Sequence, residues 1–78
     1  MQTFYVQVKC ELGRTYEVAG DIAAQELHSE IFSTAGEFDL IVKYHVDDDL
    51  DIGHFVGESV HQVAGIRDTK TIITFKAF

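Results

Sequence analysis

The chain has 78 residues, enough for one domain, and its 13 acidic against 6 basic side chains give it a net charge of −7. Such a surplus of negative charge repels phosphate, so nucleic-acid binding by this chain alone is disfavoured; no basic helix, aromatic-plus-basic stripe or zinc spacing points the other way. The single cysteine, Cys10, excludes an intramolecular disulfide. A domain of this size buries only about 60% of the surface its unfolded chain exposes. Association with another copy is therefore the natural extra source of stability. Met1-Gln2-Thr3-Phe4 leads straight into an alternating pattern, without the charged and then apolar order of a secretory signal. No apolar run approaches the ~20 residues needed to cross a bilayer. The expectation is a cytoplasmic protein of one domain, residues 1–78, with no membrane partner.

Residues 3–11 alternate, with Phe4, Val6, Val8 and Cys10 on one face and Thr3, Tyr5, Gln7 and Lys9 on the other, which predicts a strand. After Gly13, Thr15 is placed to cap a helix whose apolar face is Val18, Ala19, Ile22 and Ala23. A second strand is expected near 30–34, around Ile31 and Phe32. A third is expected over 39–46, with Leu40, Val42, Tyr44 and Val46 on one face and a tight turn at Gly36-Glu37 between the two. Asp47, Asp48 and Asp49 then charge and cap the start of a second helix. Its apolar positions Ile52, Phe55, Val56, Val60 and Val63 recur at helical spacing until Gly65 stops it. Residues 66–75 are rich in β-branched side chains and predict a last strand.

This β-α-β-β-α-β order predicts an α+β fold of the ferredoxin-like kind, a βαββαβ sandwich with both helices on one face of a four-stranded sheet. The other face is expected to be polar where it meets water. Tyr5 and Ile41 break that rule, and Ile72 and Ile73 point to opposite sides of the last strand. A second sheet packed on this face, giving a homodimer, answers both the apolar side chains and the small core.

Three segments carry a family resemblance: Ser33-Thr34-Ala35-Gly36-Glu37-Phe38-Asp39-Leu40, Gly65-Ile66, and Thr69-Lys70-Thr71. In this order they resemble the effector-binding (RAM) domain of Lrp/AsnC transcription regulators, over nearly the whole chain. The DNA-reading helix-turn-helix that precedes this domain in most members is not in the sequence, so the chain looks like the single-domain members. The usual Pro-Gly-Val-like turn before the second strand is replaced by Gln25-Glu26-Leu27-His28-Ser29. The resemblance implies dimers through the open sheet faces (a dimeric α/β barrel), tetramers or octamers built from them, and an amino-acid effector bound where dimers meet. Carried to matching positions, it implies ligand contacts from Gly36, Glu37, Phe38, Asp39, Thr69 and Thr71, with Glu37 at the family's variable position. A full-length Lrp/AsnC regulator is the implied protein partner.

The chemistry fits a zwitterion independently. Asp39 offers an anion for an ammonium group, while the Gly36 backbone and the Thr69 and Thr71 hydroxyls offer donors for a carboxylate. The same residues also have plain uses: Gly36 in a turn, Asp39 bonding hairpin amides, the threonines as good strand formers. Asp47, Asp49, Asp51 and Glu58 imitate a calcium loop, yet Ile52 stands where that loop needs glycine. His54 and His61 are seven apart, not the four of helical metal ligands, and His28 and His45 lie elsewhere. Cys10 on an apolar face reads as a core residue. No metal, cofactor or catalytic residue is expected. The alternatives are a small dimeric enzyme of monooxygenase or isomerase type, with a cleft between sheet and helices, and a ligand-free oligomeric adaptor.

Overall fold

The first strand, β1 (Gln2–Cys10), is central because its alternation gives it one wholly apolar side: Phe4, Val6, Val8 and Cys10 are buried. The computed structural model describes residues 1–78 and continues through α1 (Thr15–Ala24), β2 (Glu30–Ser33), β3 (Leu40–Val46), α2 (Ile52–Glu58), a 3-10 turn at Val60–Gln62 and β4 (Ile66–Ile73). The strands form one antiparallel sheet in the order β2-β3-β1-β4. This is the expected ferredoxin-like arrangement.

Register explains the core. Phe4 lies opposite Tyr44, Val6 opposite Val42 and Val8 opposite Leu40, so the apolar sides of β1 and β3 merge into one surface. Val18 and Ile22 of α1, Ile52 and Val56 of α2, and Val60 cover it. At its centre the Phe4 and Tyr44 rings stack with centroids 5.1 Å apart, and Phe55 stands edge-on to both at 5.9 and 5.3 Å. These are favoured aromatic geometries. The space between sheet and helices is filled by these side chains, and Cys10 is buried with them as expected.

Several boundaries differ from the sequence reading, each for a local reason. Thr15 does not cap α1; Arg14 does, without a side-chain cap bond, and its guanidinium instead bonds Glu11 and Glu17 at 3.0–3.1 Å across the turn. The cap of α2 is Asp51, whose carboxylate accepts from the His54 amide at 3.1 Å. Asp47 is used earlier: its carbonyl closes a turn with the Leu50 amide and accepts from the Gln2 side chain. The second helix was expected to reach Val63 but ends at Glu58. The Ser59 hydroxyl donates back to the Phe55 carbonyl at 2.6 Å, and Gln25 Nε2 takes the Ser59 carbonyl at 3.1 Å. The Phe55 carbonyl keeps its helical partner, the Ser59 amide, at 3.0 Å; the Ser59 carbonyl accepts the Gln62 amide, three residues on, at 3.3 Å, and the chain tightens into the 3-10 turn. The connection between β2 and β3 is six residues, Thr34–Asp39, longer than a tight turn. Gly65, expected to stop the helix, instead turns the chain into β4 at a φ of +93°, after the 3-10 turn has ended at Gln62.

The second face of the sheet has no helix. Tyr5, Ile41, Phe32 and Ile72 lie on it; Phe32 is 58% and Ile72 39% exposed.

Candidate effector-binding site

The β2–β3 hairpin is held at its base and open at its tip. The Thr34 amide donates to the Asp39 carbonyl and the Thr34 hydroxyl to the Phe38 carbonyl, both at 2.9 Å. Gly36 turns the tip with a φ of +106°, a conformation that side chains with a Cβ rarely adopt. The amides of Gly36, Glu37 and Phe38 donate to no backbone carbonyl of the chain. A short run of exposed amide donors results, with nothing but solvent or a ligand to accept from them.

Asp39 ties this loop to the centre of the sheet. Its amide donates to the Val8 carbonyl at 2.9 Å, and its Oδ2 accepts from the Cys10 amide at 2.8 Å. The second bond has a structural cause. Pairing of β1 with β3 ends at Val8 opposite Leu40, so the Cys10 amide, two residues further along the same edge, has no β3 carbonyl opposite it. The carboxylate supplies the missing acceptor. Its other oxygen, Oδ1, bonds no group of the chain. The Cys10 thiol is pushed up from its ordinary pKa by burial and then by the Asp39 charge, which keeps it protonated.

Thr69 and Thr71 sit on β4, opposite Val8 and Val6. Both face the helical side, but α2 ends too early to cover them. Thr71 is exposed and Thr69 half-buried. The Thr69 hydroxyl lies 2.9 Å from His61 Nε2, and its amide donates to Asp68 Oδ1 at 2.9 Å. A shallow depression of about 330 Å³ is lined by His61, Ile66, Arg67, Asp68 and Thr69. Arg67 was not singled out from the sequence, and His61 was weighed there only as a metal ligand. No pattern marks them, because the break at Ser59 is what swings His61 over β4.

One chain does not bring the six expected residues together. Gly36, Glu37, Phe38 and Asp39 lie beside one edge of β1, and Thr69 and Thr71 beside the other. Val6 and Val8 stand between them, and two strand spacings separate the groups by about 10 Å. Each group presents polar atoms at its own edge: three amide donors and a carboxylate acceptor on the hairpin, hydroxyls on β4.

Comparison with known proteins places this geometry. The model of the Lrp/AsnC ligand binding domain matches residues 3–78. The HTH-type transcriptional regulator FL11 of Pyrococcus horikoshii is 26% identical over 72 residues, which is 92% of this chain and 47% of that protein. The chain thus spans about half the length of the curated relatives it matches. TTHA0845 from Thermus thermophilus shares the fold with a TM-score of 0.90, at 23% identity, over 100% of this chain and 98% of its own. The transcriptional regulator NMB0573 of Neisseria meningitidis, solved in complex with L-Met, shares it with a TM-score of 0.81 at 18% identity, over 96% of this chain and 50% of its own. With a family model matching almost every residue, this chain belongs to the Lrp/AsnC ligand-binding domain family.

Proposed function

We propose that this domain is a regulatory module that binds an amino acid and signals through its assembly, with no catalytic step. The observation that carries the reading is the hairpin: three amides without backbone acceptors beside a carboxylate with one oxygen unused. That pairing matches the two charged ends of a zwitterion. The amino-acid carboxylate rests on the Gly36, Glu37 and Phe38 amides, and its ammonium on Asp39 Oδ1. Thr69 and Thr71 of a neighbouring copy complete the donor set. The L-Met complex of the Neisseria regulator supports the ligand class, not the particular amino acid.

Assembly is the second part of the proposal. Two copies pack through the uncovered sheet faces, where Phe32, Ile72, Tyr5 and Ile41 supply apolar surface. Dimers then meet at the hairpins to form tetramers or octamers. The output passes through a full-length Lrp/AsnC regulator in mixed oligomers, in the cytoplasm. No helix of the chain is long and apolar enough to cross a membrane.

Equilibrium dialysis against an equimolar mixture of the twenty standard amino acids tests the binding claim, with retained ligand read by mass spectrometry. Selective retention of one or a few supports it; an even distribution of all twenty defeats it. Co-purification with a helix-turn-helix regulator checks the partner, and repeated pull-downs without one count against that part.

A further inference from the structure

Beyond β4 the chain leaves the sheet as an arm. The Thr74 amide and hydroxyl both donate to the Thr3 carbonyl, at 3.3 and 2.6 Å, and these bonds are the last tie to β1. Residues 75–78 make no backbone hydrogen bond. They read Phe75-Lys76-Ala77-Phe78, and both phenylalanines are wholly exposed. Within the arm, Lys76 Nζ stands 5.4 Å from the centre of the Phe78 ring, in cation–π range. Two bare aromatic rings on so short a segment, beside the exposed Ile73, are more than scattered surface apolarity.

The arm overhangs a hollow. A concavity of about 790 Å³ opens between it and the uncovered sheet face, with Phe75, Lys76 and Ala77 on one side and Thr3, Tyr5 and His45 on the other. Neither phenylalanine is buried in it, although burial of an aromatic ring is favourable. Open space beside exposed rings is what a second copy can fill. Charge agrees: the only charged side chain of the arm is Lys76, and the acidic loop Asp47-Asp48-Asp49 borders the hollow through Asp48.

Area points the same way. The four strands average seven residues. At about 4.8 Å between strands and 3.3 Å per residue, the sheet face measures roughly 19 by 23 Å in projection. Two such faces cover roughly 900 Å², short of the ~1,200 Å² at which stable interfaces begin. Each buried phenylalanine adds about 150–250 Å², so two arms contribute roughly 600–1,000 Å² and bring the total into the stable range.

We propose that two copies exchange arms, Phe75 and Phe78 of each seating in the hollow of the other. The exchange rests on the reading that the open sheet faces meet, and adds the clasp that holds them. It also fixes the symmetry. A two-fold axis along the strands keeps both arms at one end of the pair, whereas an axis across the strands sends them to opposite ends.

The test has two arms. In an equal mixture of ¹³C,¹⁵N-labelled and unlabelled protein, isotope-filtered NMR should show contacts between copies from the Phe75 and Phe78 rings to Thr3, Tyr5 and His45. In sedimentation equilibrium, Phe75→Ser combined with Phe78→Ser should weaken the dimer at least about thirtyfold. Leu12→Ser, equally exposed but at the other end of β1, should leave it unchanged. A dimer that the double variant does not weaken, or ring contacts arising only within one copy, overturns the exchange and leaves the open-face dimer standing. A parent protein that stays monomeric overturns both.

Discussion

Replacing Asp39 separates the two duties its carboxylate performs. Oδ2 accepts the Cys10 amide at 2.8 Å, where the end of the β1–β3 pairing leaves that amide without a ladder partner, and Oδ1 bonds no group of the chain. In Asp39→Ala the half-buried amide is left unpaired, and a hydrogen bond to a charged acceptor disappears with it. Losses of this kind cost about 1.5–3 kcal/mol. In a domain of this size, where 1 kcal/mol moves the midpoint by about 4–8 °C, thermal unfolding should come at least roughly 6 °C earlier. Asp39→Asn keeps a side-chain carbonyl for the Cys10 amide while removing the charge, so it should cost less than about 1 kcal/mol. The assay is thermal and urea unfolding followed by far-UV circular dichroism. An alanine variant as stable as the parent would refute the structural role given to this bond. An asparagine variant as unstable as the alanine one would show that charge, not acceptor geometry, holds this end of β1. Asparagine is therefore the substitution with which to examine ligand binding, because alanine confounds binding with folding.

Tyr44→Phe should stabilise the domain by about 1 kcal/mol, because the fully buried hydroxyl has no hydrogen-bond partner while both ring contacts survive the change. Burial also pushes the Tyr44 phenol up to about 12, from 10.0. The unfolded chain then gives up this proton first as pH rises, so the residue's contribution to stability is complete below pH 10 and declines between about 10 and 12. Urea midpoints across that window should fall less steeply in the variant, and parallel declines would contradict the assignment. Gly65→Ala should destabilise by about 1–3 kcal/mol, since φ is +93° and an added Cβ would come within 3.0 Å of Arg14 Cζ and Val18 Cγ2. Chemical denaturation checks it, and an unchanged midpoint would mean the backbone relaxes. Ile41→Lys, on the open sheet face, should leave the circular dichroism unchanged and weaken dimerisation by at least about tenfold in light-scattering chromatography. An unaltered dimer would remove this face from the interface.

Much of the fold could be read along the chain because its signals are local. Phe4, Val6, Val8 and Cys10 alternate without interruption, and so do Leu40, Val42, Tyr44 and Val46. Period-2 patterning of that length admits only a strand with one buried face. The short strand β2 carries too little alternation to orient itself, so Phe32 took its place on the open face only once its register with Ile41 was known. The end of α2 was hidden for a different reason. Val60 and Val63 continue the helical period, but the Ser59 carbonyl is shared between the Gln25 side chain, 34 residues away, and the Gln62 amide, three residues on, so the last turn tightens to 3-10. Helix caps failed similarly: any of Asp47, Asp48, Asp49 and Asp51 is a good cap by type, and the Gln2 side chain helps decide among them by holding Asp47 in the preceding turn.

The candidate site was legible in part. Family resemblance identified the hairpin and the Thr69-Lys70-Thr71 segment, and the backbone explains why glycine stands at 36. What no linear pattern carries is the distance between the two groups, with β1 lying between them. Nor does it carry the anchoring of Asp39 to Cys10, 29 residues away, which depends on where the pairing of β1 with β3 ends. His61 was set aside because its spacing from His54 does not suit a helical metal pair, and its partner, Thr69, is supplied by the fold.

The central claim is that an amino acid binds at the hairpin, and a thermal-shift screen of all twenty at millimolar concentration, on the parent and on Asp39→Asn, tests it most directly. A ligand present at a hundredfold excess over its Kd adds about 2.7 kcal/mol to the native state, a shift of many degrees for a domain this small. The account predicts a selective upward shift with one or a few amino acids, abolished in Asp39→Asn while its unliganded midpoint stays near that of the parent. No shift with any of the twenty, or a shift that survives undiminished in Asp39→Asn, would contradict it.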